Sequence, residues 1–248
     1  MNLILEGECM KIGLASYEFI NNDMLFNISQ IEKAMEVSQS KIDLLCFGES
    51  FLQGFDSLNW DYKHDRQVAI PSNSPIIQKL CSMTIQYGVD LLFGYIEKSG
   101  DSIYSSCAFI EKGKVTHNYR RISKGWKEYK ITDKHYKEGN EIVEFLYQGQ
   151  RFMVTLCGDM WDFPEKFKTT GILIWLVYVD YTPEEWQVHE PEYAGQAFLA
   201  ANHAFMINSI SKKPVSHGGA FIFKDGKTEN KLPYDIENIM VVEVSNEY

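Results

Sequence analysis

The sequence has no Cys-x-x-Cys pair and no Gly-x-Gly-x-x-Gly loop after its first apolar stretch. It also has no apolar run near the ~20 residues that a membrane span needs. Its five cysteines (Cys9, Cys46, Cys81, Cys107 and Cys157) are scattered. That excludes a zinc framework and reads as reduced thiols in a cytoplasmic protein rather than a disulfide scaffold. Positive charge is short, with 24 Lys+Arg against 34 Asp+Glu and a net charge of −10. A nucleic-acid or anionic-membrane partner needs a concentrated positive surface, so neither is expected. His189, His203 and His217 stand fourteen residues apart, a spacing that no metal-binding helix or loop uses, so no metal is expected. Gly226-Lys227-Thr228 ends like a phosphate loop, but the place of the loop's first glycine is taken by Phe221. The opening MNLILEGEC is acidic and lacks a basic stretch, so residues 1–9 read as a tail and not a targeting signal.

What is there is ordinary globular material: 248 residues, 45% hydrophobic, 23% charged and 14% aromatic. With no low-complexity linker or composition break, residues 10–248 read as one domain. Short apolar runs alternate with stretches of helical period. Lys11–Ala15, Ile42–Phe47 and Val89–Ile96 read as strands, with helices over Phe26–Ser38 and Pro75–Tyr87 between them. The second helix has Ser74-Pro75 to start it and Gly88 to stop it. Then Ile103–Ile110, Val115–Ile122, Ile142–Leu146 and Arg151–Leu156 follow with tight turns at Glu111-Lys-Gly and Gln148-Gly-Gln, the pattern of antiparallel hairpins. A short helix at Pro164–Phe167, a strand at Ile172–Tyr178 and a long helix over Glu184–Ala204 come next. Strands at Phe205–Ile210, Ala220–Phe223 and Ile239–Val244 close the chain, with Asp225-Gly226 as a hairpin turn. Continuous apolar strands between amphipathic helices imply mixed sheets covered by helices, an α/β fold.

Chemistry gathers where polar residues end apolar strands. Glu49 closes the run that begins at Ile42. By itself it fits a turn, but a carboxylate at a buried strand end is raised towards the range of a useful base. Tyr119-Arg-Arg-Ile-Ser-Lys-Gly-Trp-Lys127-Glu128 is a cationic stretch, which alone fits a solvated loop. Cys157 ends the strand from Arg151. Gly158 after it is read as letting the backbone turn sharply, and Pro164 opens a helix. A thiol at such an elbow projects into a cleft where backbone N–H groups can hold an oxyanion. Cys46, Cys81 and Cys107 read as structural thiols.

In this order the segments resemble the carbon–nitrogen hydrolase (nitrilase) superfamily, in its amidase-like branch, over essentially the whole chain from Met10. Phe47-Gly48-Glu49 with Gly54-Phe55 is similar to the family's glutamate motif. Cys157-Gly158-Asp159 with Phe163-Pro164-Glu165 is similar to its cysteine motif, and Ala197–Asn202 to a late helix stretch. The resemblance implies a four-layer α-β-β-α sandwich, a Glu–Lys–Cys triad, no cofactor and a homodimer or larger homo-oligomer. One position departs: where the family has Tyr-Arg-Lys, this chain has Tyr119-Arg120-Arg121. Arginine has a different shape and reach from lysine. Of the lysines that follow, Lys124 and Lys127, the second is favoured for the catalytic role because Gly125-Trp126 supplies a turn and an anchor.

The resemblance thus implies a hydrolase that acts on a small amide and water, with Glu49 as base, Cys157 as nucleophile and Lys127 as oxyanion partner. Glu128, Gly158 and Trp161 are expected to contact substrate. Two alternatives stay open. Arg121 replaces the lysine in a relative that only binds a ligand, or the acyl group passes to an amine instead of water.

Overall fold

The computed structural model describes residues 9–244, so all of the expected tail except Cys9 lies outside the described residues. Two six-stranded sheets stack face to face. The first runs β12-β1-β2-β3-β4-β5 and the second β11-β10-β9-β8-β7-β6. The first holds β1 (Met10–Ser16), β2 (Leu44–Cys46), β3 (Asp90–Ser99), β4 (Ser102–Glu111), β5 (Lys114–Arg120) and β12 (Asn238–Val244). The second holds β6 (Glu144–Tyr147), β7 (Gln150–Leu156), β8 (Ile172–Val177), β9 (His203–Lys212), β10 (Val215–Lys224) and β11 (Lys227–Lys231). Each is parallel at its centre (β1, β2, β3; β7, β8, β9) and antiparallel outside it, so both sheets are mixed as expected.

Alternation along the strands builds the layers. Ile12, Leu14, Leu44, Cys46 and Leu92 pack in the cluster that contains Phe152, Val154 and Leu156 of the facing sheet. Ala15, Leu45, Phe47, Leu91 and Phe93 point the other way, onto Ile28, Ile31 and Met35 of α1 (Met24–Ser38) and Ile77, Leu80 and Met83 of α3 (Pro75–Tyr87). Over the second sheet, Trp186, Tyr193, Ala194 and Ala197 of α5 (Pro183–Phe198) are buried against β9 and β10 residues such as Phe221. The four-layer sandwich is the observed architecture. No helix among the described residues is long and apolar enough to cross a membrane.

Local signals explain the boundaries. Ser74 Oγ accepts from Ile77 N–H at the start of α3, Pro75 holds its first position, and left-handed Gly88 (φ 65°) ends it. The hairpin turns pair two left-handed residues each: Lys112 and Gly113, Gln148 and Gly149, Asp225 and Gly226. Three differences from the sequence reading have physical causes. The last helix ends at Phe198 and not at Ala204, because His203 is already paired with Ile172 and the sheet takes the chain over. The strand read over Phe205–Ile210 runs on to Lys212. The stretch between Phe47 and Ser74, to which the sequence reading gave no element, holds α2 (Tyr62–Val68), a polar helix capped by Asp61 and without a strong apolar stripe.

Candidate active site

The site lies where β2, β5, β7 and β8 end. After Cys46 the chain continues through Phe47-Gly48, and a side chain at Gly48 would sit 2.5 Å from Ser209 Oγ, so only glycine lets this segment press against the second sheet. Glu49 N–H then donates to the Val177 carbonyl (3.3 Å) across the sheets. Its side chain is fully buried. Oε1 accepts from Arg121 Nη1 (2.9 Å) and Ser105 Oγ (3.0 Å), while Oε2 has no hydrogen-bond partner. An ionised carboxylate in such surroundings needs a cation, and Arg121 is that cation.

Arg121 follows β5 and is itself buried, at 3% exposure. Besides Glu49, it donates through Nε to Ser123 Oγ (2.7 Å). Its charge state is secure: against the lowering by burial, Glu49, Cys157 and Asp159 push its pKa further up. Cys157 sits just past β7 with its N–H on the Leu176 carbonyl (2.9 Å). The strained residue of this elbow is Cys157 itself, at φ 34°. Gly158 has ordinary helical angles (φ −65°, ψ −11°) and caps the short α4 (Asp159–Asp162), so the expected role of Gly158 as the sharp turn is corrected. The left-handed backbone of Cys157 is braced from behind, because Trp175 Nε1 donates to its carbonyl (3.0 Å). Burial, then Glu49, push the thiol pKa up to about 12, against Arg121 and the Tyr178 N–H, which pull it down. At rest the sulfur is therefore held as a thiol beside Glu49.

Asp159 ties these parts together. It is buried and accepts from Tyr119 Oη (2.6 Å), Leu156 N (3.0 Å), Ile122 N (3.0 Å) and Ser123 N (2.7 Å). Burial, the largest effect, raises its pKa, against Arg121 and the Tyr119, Ser123 and Leu156 donors, which pull it down. One side chain thus joins the cysteine elbow to the loop that carries Arg121. Asp159 stood in the cysteine motif without a role. Ser105 and Trp175 had no signal in the sequence, because each acts on a partner distant along the chain; Ser123 stood in the cationic stretch without a role, two residues from Arg121.

Of the residues expected at the site, the structure brings Glu49, Cys157 and Gly158 together around Arg121. Lys127 is not brought there: its amine donates to the Tyr136 carbonyl (2.6 Å) and pairs with Glu138 (2.6 Å). The charges that bear on the Cys157 sulfur are Glu49, Arg121 and Asp159. Trp126 does anchor its loop, but in a separate cluster with Trp60 and Tyr136, which turns Lys127 towards Glu138. Glu128 is exposed, and its carbonyl accepts from Ile131 N–H and Thr132 N–H; the carboxylate beside Lys127 is Glu138. Trp161 stands on α4, 38% exposed, edge-on to Tyr193 (5.0 Å between rings). Tyr193 stacks in turn on Trp175. Register along the chain had pointed to position 121 and residue type away from it, and in the structure it is Arg121 that meets Glu49.

Comparison with known proteins bears on the family and the fold. A family model described as carbon–nitrogen hydrolase matches residues 20–246. A glutamine-dependent NAD(+) synthetase of Thermotoga maritima is 27% identical over 156 residues, 62% of this chain and 26% of that protein. An (R)-stereoselective amidase of Pseudomonas sp. is 25% identical over 156 residues, 63% of this chain and 54% of that protein. The chain therefore spans about a quarter and about half the length of these curated relatives. In fold it is similar to an amidase from Nesterenkonia sp. AN1, solved as a double mutant in complex with acrylamide. There the TM-score is 0.78 at 16% identity, with 98% of this chain and 94% of that chain covered.

Proposed function

This chain belongs to the carbon–nitrogen hydrolase family, and from that premise we propose that it hydrolyses a small amide through a thioester on Cys157, with Glu49 as the base and Arg121 as the cation at the oxyanion. The observation that carries this reading is the state of Glu49. One oxygen is fixed by Arg121 and Ser105, and the other is buried, without a hydrogen-bond partner, close enough to Cys157 to raise its thiol.

The steps follow from these positions. Glu49 Oε2 takes the thiol proton as Sγ bonds to the amide carbon, and the carbonyl pair moves onto oxygen. Arg121 has committed Nε to Ser123 and Nη1 to Glu49, so Nη2 remains for the oxyanion, together with the Gly158 N–H. Removing one such donor costs ~2.7–4 kcal/mol of transition-state stabilisation. Arginine stays charged throughout and gives up no proton, so the proton that the leaving nitrogen needs comes back from Glu49. The C–N bond breaks, ammonia or an amine departs, and the acyl group is left on sulfur. Glu49 then deprotonates a water that attacks the thioester, and the thiolate leaves and is reprotonated.

Amides suit this site better than nitriles, because an amide needs that proton delivered to nitrogen. Trp161 and the exposed Tyr129 favour a small or partly apolar acyl group. The test is ammonia release from a panel of small amides, ureas and nitriles. Amides should lead, and nitriles that matched or passed their corresponding amides would overturn the preference. A second reading, ligand binding without turnover, is favoured by the thiol pushed up to about 12 and by arginine in the lysine's place. It expects Cys157 to be alkylated no faster than the buried Cys46 and Cys107, whereas the proposed base makes Cys157 much the faster. Transfer of the acyl group to an added amine is read from the products of the same panel.

A further inference from the structure

Position 158 poses a question that the elbow does not answer. At φ −65° and ψ −11° its backbone suits any residue, so conformational freedom does not call for glycine there. Space does. A β-carbon on residue 158 would lie 2.3 Å from Arg121 Nη2, 3.4 Å from its Cζ and 3.2 Å from Ser123 Oγ. The far end of an arginine usually swings aside, but this one is fixed: Nε is bonded to Ser123 Oγ, Nη1 to Glu49 Oε1, and the side chain is buried. Ser123 is fixed as well, because it is fully buried and its N–H is bonded to Asp159. A lysine at 121 has one nitrogen and no fork. It cannot bond Glu49 and Ser123 and also fill the space over residue 158.

We infer that Gly158 is a positioning residue whose missing side chain is the slot for the Arg121 guanidinium, so that Arg121, Ser123 and Gly158 form one matched seat in which arginine and glycine must change together. This rests on the reading of Arg121 as the cation of the site. Alanine at 158 displaces Nη2 from the place beside Cys157 where the oxyanion forms, and it does so only while the guanidinium is there. Ser123 sets the turn of the fork from the other side. The substitution of lysine by arginine is thus accommodated by two neighbours, one offering an acceptor and one offering room.

A double-mutant cycle tests this on the full chain: wild type, Gly158→Ala, Arg121→Lys and the double variant. Two quantities are read, the melting temperature and the rate at which iodoacetamide alkylates Cys157, followed peptide by peptide so that the other thiols do not intrude. Gly158→Ala alone should lower the melting temperature by several degrees. It should also slow Cys157 alkylation about tenfold, because the cation that lowers the thiol pKa is pushed away. In the Arg121→Lys background the same alanine should change neither. Equal losses in both backgrounds, or none in either, would overturn the inference. So would a melting loss with no change in alkylation, which would leave Gly158 a packing residue only. Should Gly158→Ala fail to fold alone, recovery of folded protein on adding Arg121→Lys supports the seat, and failure of the double variant refutes it. Neither readout needs a substrate, so a protein that released no ammonia would sink the proposed hydrolysis and leave this result standing.

Discussion

Cys157 has the least ordinary backbone of the site and the chemistry to go with it. Its replacement should separate catalysis from folding. Cys157→Ala should abolish ammonia release and leave the melting temperature nearly unchanged, since the thiol is only partly buried, at the edge of the core. Cys46→Ala should do the reverse, at a cost of about 1 kcal/mol or more, because that thiol is fully buried between the sheets. Activity measured per folded molecule, beside a denaturant titration, checks both. The cations divide as sharply. Lys127→Ala removes a partly exposed pair with Glu138 and should cost activity little. Arg121→Met leaves Glu49 buried without its cation and should cost ~3–5 kcal/mol of stability along with turnover. Equal, small effects at both positions would show that neither cation serves the reaction. The thiol gives a pH prediction too. With its pKa pushed up to about 12, Cys157 alkylation in the free protein should rise steadily with pH through the neutral and mildly alkaline range. A plateau near neutrality would mean a preformed thiolate.

Among the elements, those with local punctuation were legible and those held by distant partners were not. Ser74-Pro75 and Gly88 bound α3 at the residues expected, and paired turn residues with left-handed backbones marked the hairpins. The end of α5 was not legible, because Leu199-Ala-Ala is good helix sequence and only the pairing of β9 with β8 interrupts it. The exposed β11, Lys227–Lys231, lacks the apolar alternation that marks a strand, and it exists because β10 offers an edge. Asn208 shows how elements are joined beyond what pattern reveals. From β9 its Nδ2 donates to the carbonyls of Val179 (2.8 Å) and Gly218 (3.2 Å), and its Oδ1 accepts from Val179 N–H (3.0 Å). It fastens the segment after β8, beside the site, to β9 and β10. Asn208→Ala strands buried backbone groups and should cost about 1–3 kcal/mol, read by chemical denaturation. A neutral result would mean that water replaces the side chain.

The whole molecule is an α-β-β-α sandwich whose layers could be read from strand alternation and helix period. Its central contact could not, for Glu49 and Arg121 stand 72 residues apart and only the fold brings them together. Family resemblance supplied the positions, and the structure sets Arg121 against Glu49 and Lys127 against Glu138. Global stability should carry the mark of a second, partly buried pair. Glu97 is buried, which raises its pKa, but Arg120, Ser106 and Asn118 outweigh that and hold it below the ordinary glutamate value of 4.5. The native state then binds fewer protons than the unfolded chain, so this contribution is present above pH 4.5 and is lost as pH falls through the lowered pKa. Wild type should lose melting temperature steeply in that acidic window, and Glu97→Gln should lose less there while starting lower at neutral pH. Parallel curves would assign acid sensitivity elsewhere. The central claim, that this sandwich cleaves an amide through Cys157, is tested most directly by mass spectrometry of the intact protein during turnover of an amide that releases ammonia. The account predicts a transient gain equal to the acyl group, carried by the Cys157 peptide and absent from Cys157→Ala. Ammonia release that persisted in Cys157→Ala would contradict it.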